Sequence, residues 1–234
     1  MGFGDGAMPL ALAPYWTELA QARMPDGGEL SLRHCDGVFE IRCDGWELMS
    51  NRAYRSEEAM ARLACAGLPA GPLVLVGGLG MGFTLRAALD ILPGSARVVV
   101  AELVPDIIEW NRGPLATLTG RPLDDARVEV RCADVYDVLG DGRFDAILLD
   151  IDNGPATTIY RCAQRLYQSS GLVLAQNSLS CDGVLAVWSA DNSKKFEDAM
   201  TACGFAWRGV EVLARDQGPF HTIYLARRNA AMVG

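Results

Sequence analysis

The chain has 234 residues, 50% of them hydrophobic and 21% charged, with a formal net charge of −8. That length and balance belong to a globular protein that can bury a sizeable core. The acidic charge argues against nonspecific binding to nucleic acid or to an anionic membrane, which needs a basic surface; it suits a cationic substrate, and it equally suits a protein that only needs to stay soluble.

No run of residues is long and apolar enough to be read as a membrane-spanning helix. The opening "MGFGDGAMPLALAPYW" lacks the basic start of a secretory signal. It begins like a myristoylation site but has Gly6 where Ser or Thr is needed. Seven cysteines are scattered without a C-x-x-C spacing, so no zinc site and no other metal site is expected. Several sit beside apolar residues and read as small buried hydrophobes, which suggests a reducing, cytoplasmic setting.

Residues 1–28 are mixed and turn-rich. Residues 29–50, "ELSLRHCDGVFEIRCDGWELMS", alternate around two Asp-Gly pairs, Asp36-Gly37 and Asp44-Gly45; this predicts a small antiparallel ribbon. Residues 1–55 are therefore taken as an N-terminal segment carrying that ribbon, and 56–234 as the main α/β domain. "SEEAMARLACAGL" predicts a helix with Ser56 as N-cap and Glu57 and Glu58 in its first turn.

From residue 72 apolar strand-like runs alternate with helical stretches. "PLVLVGG", "ARVVVAEL", "ARVEVRCAD", "FDAILLDID" and "GVLAVWSA" are each followed by a helix. Such runs predict a parallel sheet covered by helices on both faces. "FAWRGVEVLAR" and "HTIYLARR" are joined by a hairpin-length link, so the last two strands are expected to be antiparallel. By analogy this is the Rossmann-like fold of class I S-adenosylmethionine-dependent methyltransferases: a mostly parallel seven-stranded sheet with a terminal antiparallel hairpin, here preceded by a small β-ribbon.

The first parallel strand runs into Gly77, Gly78, Gly80 and Gly82. Glycines at a strand-to-helix turn let a ligand approach the backbone and its N–H groups. The spacing G-x-G-x-G at Gly78, Gly80 and Gly82 differs from the dinucleotide pattern G-x-G-x-x-G, because Phe83 takes the sixth place. It fits an S-adenosylmethionine-type nucleoside, and a plain packing loop is the alternative. Glu102 ends the next strand, where an acid can accept hydrogen bonds from ribose hydroxyls. Asp134 ends the third strand, placed either to meet an adenine amino group or to cap the helix that follows. Asp150 and Asp152 end the fourth strand in "LLDIDNGP". Two carboxylates there can hold an amine and take its proton, or they belong to a strand-ending turn. His34, His221 and Lys194-Lys195 read as hydrogen-bonding or solvated side chains, and Tyr54 and Trp188 as core or rim aromatics that can also line an acceptor pocket.

These stretches, "GGLGMG", "VVVAELVPDIIEWNRGPL", "ADVYDVL", "FDAILLDIDNGP" and "GVLAVWSA", with the ribbon "FEIRCDGWELMSNRAYRSEEAM" before them, resemble the spermidine synthase family of polyamine aminopropyltransferases, and within it a short bacterial spermidine-synthase-like branch. The resemblance implies transfer of an aminopropyl group from decarboxylated S-adenosylmethionine to a small amine such as a polyamine. It implies Glu102 on the ribose, Asp134 on the adenine, Asp150 as the first acid of a D-x-x-D-P-x-G-P catalytic loop, Asp152 or Asn153 near its second, and a homodimer. The chain departs from the family in two places. Leu79 and Met81 stand in a loop that usually carries an acid, and the catalytic loop is two residues shorter and lacks the D-P step. Intact S-adenosylmethionine with methyl transfer, and a silent nucleoside-binding protein, therefore remain as alternatives.

Overall fold

The computed structural model describes residues 15–151, 153–156 and 161–228. Its first layer is a four-stranded antiparallel sheet made of β1 (Thr17–Arg23), β2 (Glu29–Cys35), β3 (Val38–Cys43) and β4 (Trp46–Ser50). The Asp-Gly pairs form the expected tight turns. Asp36 and Asp44 both have φ +47°, followed by Gly37 at +80° and Gly45 at +81°, the left-handed pairs that a two-residue hairpin needs. Leu30, Leu32 and Ile41 turn inward and are fully buried.

The ribbon has one strand more than its sequence suggests. β1 lies in residues read as turn-rich, and "TELAQAR" holds no β-branched residue after its first position. Only Ala22 in it is buried. Backbone pairing with β2, from Thr17 opposite His34 to Arg23 opposite Glu29, makes it a strand. That pairing is invisible to side-chain periodicity.

The second layer begins with α1 (Arg55–Cys65). Its N-cap is Tyr54, without a side-chain cap, which corrects the expectation for Ser56. Ser56 lies inside the first turn and is completely buried. The sheet follows as β5 (Leu73–Gly77), β6 (Arg97–Glu102), β7 (Val128–Cys132), β8 (Phe144–Leu149), β9 (Leu179–Ser189), β10 (Phe205–Leu213) and β11 (Phe220–Arg228). Between them run α2 (Phe83–Ile91), α3 (Pro105–Arg112), α4 (Val135–Val138), α5 (Arg161–Gln164), α6 (Ser169–Ser178) and α7 (Lys194–Ala202).

The order across the sheet is β10-β11-β9-β8-β5-β6-β7. The strands from β9 to β7 pair in parallel. β11 is antiparallel to both β9 and β10, as the short final link requires. Val74, Leu75, Val76, Val100, Ala146, Ile147 and Leu148 are all fully buried. With helices on both faces, neither side of these strands meets water, hence their unbroken apolar runs. Burying each of these Val, Leu and Ile side chains stabilises the fold by about 1.5–3 kcal/mol.

Strand order reverses beside β5, whose neighbours are β6 and β8. Loops leaving the C-terminal ends of these strands diverge there and leave a crevice. β4 and α1 reach that crevice from the N-terminal side. No helix among the described residues is long and apolar enough to cross a membrane.

Candidate active site

The loop after β5 is tied down where it leaves the strand. Gly78 N donates to Ala101 O at 2.9 Å, and Asp150 N donates to Gly77 O at 2.8 Å. Gly78, Gly80 and Gly82 all have positive φ, at +87°, +51° and +84°. A Cβ on Gly78 would fall 2.1 Å from the carbonyl oxygen of Asp150, and one on Gly80 would fall 3.0 Å from Met49 Sδ. The first glycine lets the loop after β8 cross that after β5. The second lets the ribbon close over the turn. Asn111 holds the same turn by donating from Nδ2 to Gly80 O at 2.8 Å.

Glu102 is 6% exposed. Its Oε2 accepts from Leu79 N and its Oε1 from Val104 N, both at 2.9 Å. Burial pushes its pKa up, while these backbone N–H groups favour the charged form. A carboxylate offers about four lone-pair sites, and two of them take these 2.9 Å hydrogen bonds. Asp134 serves as a helix cap: Oδ1 accepts from Tyr136 N at 2.8 Å. Its Oδ2 also accepts from Arg165 at 2.8 Å, and the Arg165 guanidinium lies 4.2 Å over the Tyr136 ring. The capping alternative is therefore realised, and Asp134 lines the crevice as well.

Two adjoining compartments occupy the crevice. The first, of about 690 Å³, is lined by Gly78, Gly80, Glu102, Asp134 and Asp150 beneath Leu48 and Met49 of β4. The second, of about 1070 Å³, is lined by Glu57, Asp150, Asn153, Trp188 and His221. Leu48, Met49, Gly80 and Asp150 border both.

Asp150 Oδ2 accepts a 2.6 Å hydrogen bond from Thr84 Oγ1 at the start of α2. β8 ends at Leu149, so Asp150 already belongs to the loop. Asp152 lies outside the described residues. The carboxylate that the fold sets against Asp150 is instead Glu57 of α1. Burial raises both acids, Glu57 to about 8 and Asp150 to about 6, and the Asp150 charge raises Glu57 further. Such a pair titrates together.

Behind Glu57 stands Ser56. Its hydroxyl donates to Glu57 Oε2 at 2.6 Å, accepts from Trp188 Nε1 at 3.0 Å and lies 2.9 Å from His221 Nδ1. His221 meets Trp188 edge-on at 4.6 Å. Trp188 thus lines the second compartment, and His221, near the start of β11, is the strand-end hydrogen-bonder it was read as. Tyr54 stacks on Phe83 at 4.5 Å. His34 packs on Phe39 in the ribbon, and Lys194 pairs with Asp198 in exposed surroundings.

Sequence reasoning took Glu57 for a helix-dipole residue and missed its place in the site. One signal was available: Glu57 shares a stripe with Ala61, Ala64 and Cys65, all buried. A carboxylate on the apolar stripe of a helix needs a reason to be there. Thr84, Met49 and Arg165 carried no such signal. Among the described residues no three His, Cys, Asp or Glu side chains gather as a metal site would require.

No family model matches the chain. Over 150 residues, 61% of its length, it is 30% identical to the polyamine aminopropyltransferases of Mycobacterium tuberculosis (strain CDC 1551 / Oshkosh) and Mycobacterium bovis (strain ATCC BAA-935 / AF2122/97). The chain covers 27% of the length of these curated relatives. Its structure is similar to "Crystal Structure of Spermidine Synthase from Thermotoga Maritima", with a TM-score of 0.72 at 19% identity, over 92% of this chain and 74% of that one. It is also similar to a spermidine synthase in complex with the transition state analogue AdoDATO, with a TM-score of 0.71 at 18% identity and the same coverage. The structural likeness, at such low identity, speaks for the fold, and the curated relatives speak for descent. The chain is thus similar in sequence, over 150 residues, to polyamine aminopropyltransferases and shares the fold of spermidine synthases.

Proposed function

We propose that this protein is a transferase that moves the aminopropyl group of decarboxylated S-adenosylmethionine to a small amine of the polyamine class. The observation that carries this reading is the position of Asp150, the acid that borders both compartments. A nucleoside in the first compartment and an amine in the second would meet beside it.

In this reading Glu102 accepts from the ribose hydroxyls with its remaining lone pairs. Asp134 faces the adenine amino group while Arg165 shares its other oxygen. Gly78, Gly80 and Gly82 give the sulfonium end room to lie against the backbone. The amine nitrogen attacks the carbon next to sulfur, the C–S bond breaks, and its electron pair stays on sulfur as methylthioadenosine. The proton lost by the amine goes to Asp150, whose raised pKa suits a base working near neutral pH. Positioning and exclusion of water supply most of the acceleration in such a displacement.

Leu79 and Met81 in the glycine loop favour a second reading, methyl transfer from intact S-adenosylmethionine. Against it, the amino-acid carboxylate of that donor would face Glu57 and Asp150 in an acidic compartment. The test is incubation with each donor and a panel of amines, with products read by mass spectrometry. Methylthioadenosine together with an aminopropylated amine is the expected outcome. S-adenosylhomocysteine with a methylated product would transfer the assignment to the second reading. The same proposal places the protein in the cytoplasm as a homodimer, which light scattering of the purified chain would check.

A further inference from the structure

Glu57 lines the second compartment and, among the described residues, is in no ion pair. Among the described residues neither it nor Asp150 enters an ion pair, and each takes one side-chain hydrogen bond, from Ser56 and from Thr84. Among the described residues, the other charged or titratable groups lining the same compartment are Glu47, Arg215 and His221. Glu47 and Arg215 are exposed, and Glu47 lies 3.4 Å from Arg52. Arg215 makes no ion pair with either acid among the described residues, so two carboxylates in one compartment leave a place for a bound cation.

Glu57 is also held in aim. A serine hydroxyl has one proton and two lone pairs. Trp188 Nε1 donates into one lone pair of Ser56, and the Ser56 proton is directed to Glu57. His221 Nδ1, at 2.9 Å, then fills the second lone pair as a donor, a tautomer assigned from the network. Residues from α1, β9 and β11 thus orient one carboxylate before any ligand arrives. The neighbouring walls are Leu79, Met81 and Phe83, which suit methylenes. An apolar wall ending in an aimed acid matches an alkyl chain ending in an ammonium group.

We infer that Glu57 is the counter-ion of a primary alkylammonium group bound in the second compartment, and that α1 supplies the acid which the loop carrying Leu79 and Met81 lacks. This rests on the transferase reading only for the source of the ammonium, either the aminopropyl end of the donor or the acceptor amine.

Calorimetric titration of the wild type and Glu57→Gln tests it with three probes: methylthioadenosine, decarboxylated S-adenosylmethionine, and putrescine added to the methylthioadenosine complex. Gln keeps the shape and can still accept from Ser56. The variant should bind methylthioadenosine within about twofold of the wild type and lose about tenfold or more for an ammonium-bearing probe. Loss for the decarboxylated donor assigns the site to the donor; loss for putrescine assigns it to the acceptor. Equal affinity of both proteins for both ammonium probes, or no binding of either to the wild type, overturns the inference. Failure of the wild type to bind methylthioadenosine would instead remove the nucleoside reading, and the putrescine arm, run then without nucleoside, would still decide the ammonium site.

Discussion

Thr84 Oγ1 donates to Asp150 Oδ2 at 2.6 Å, joining the first turn of α2 to the tip of β8. Among the described residues it is the side-chain hydrogen bond that holds the Asp150 pKa down against its burial. Thr84→Val keeps the shape and removes that bond. A hydrogen bond to a charged group contributes about 1.5–3 kcal/mol, so the acid limb of the activity–pH profile should move upward by about one to two units. Thr84→Ser should restore it. A profile that does not move in the valine variant would show that Asp150 is not the group that titrates.

The buried acid pair makes stability depend on pH. Glu57 rises from 4.5 to about 8 and Asp150 from 3.8 to about 6. Both bind their protons more tightly folded than unfolded, so their contribution is complete below about pH 4 and is lost as pH climbs toward 8. His221, lowered by burial from 6.5, acts in the opposite sense near neutrality. Asp125, lowered to about 2, acts only in stronger acid. Thermal melts of the wild type and Glu57→Gln across pH 5–8 isolate the pair. The wild type should lose more Tm than the variant with rising pH, about 2–4 °C for each kcal/mol of difference. Parallel curves would mean that Glu57 carries no raised pKa.

Glu102→Ala should weaken methylthioadenosine binding by about 1–3 kcal/mol, as expected when hydrogen bonds to a charged group disappear. It should also lower Tm, because the buried Leu79 and Val104 N–H groups lose their acceptor. Calorimetry and thermal melting read the two effects separately. A variant that melts lower yet binds as tightly would leave Glu102 as a loop clamp and move the ribose site elsewhere.

Gly78 and Gly120 make a matched pair. Both have positive φ, +87° and +67°, but an added Cβ meets the Asp150 backbone at Gly78 and nothing within 4 Å at Gly120. Gly120→Ala should cost about 1–2 kcal/mol, the strain of a left-handed alanine. Gly78→Ala should cost that and a further ~1–3 kcal/mol or more for the collision, because backbone cannot rotate away. Urea denaturation measures both. Equal losses would show that the loop after β8 yields to a side chain at Gly78.

The sequence by itself determined the large sheet. Runs such as "LVLV", "VVVA" and "AILL" are apolar on both faces and so demand helices on both sides. The short link before β11 demanded an antiparallel end, and the Asp-Gly pairs demanded tight turns. The glycine loop and the acids Glu102, Asp134 and Asp150 were legible because strand ends of a parallel sheet open on one side. Only the tertiary structure decided what stands opposite them. β1 is a strand through backbone pairing with β2, which local side-chain pattern does not encode. Ser56, Glu57, Trp188 and His221 are separated by up to 165 positions and meet because α1 packs across β9 and β11. A carboxylate in a helix's first turn looks the same in sequence whether it faces water or another acid; long-range packing sets its surroundings, and those surroundings set its charge.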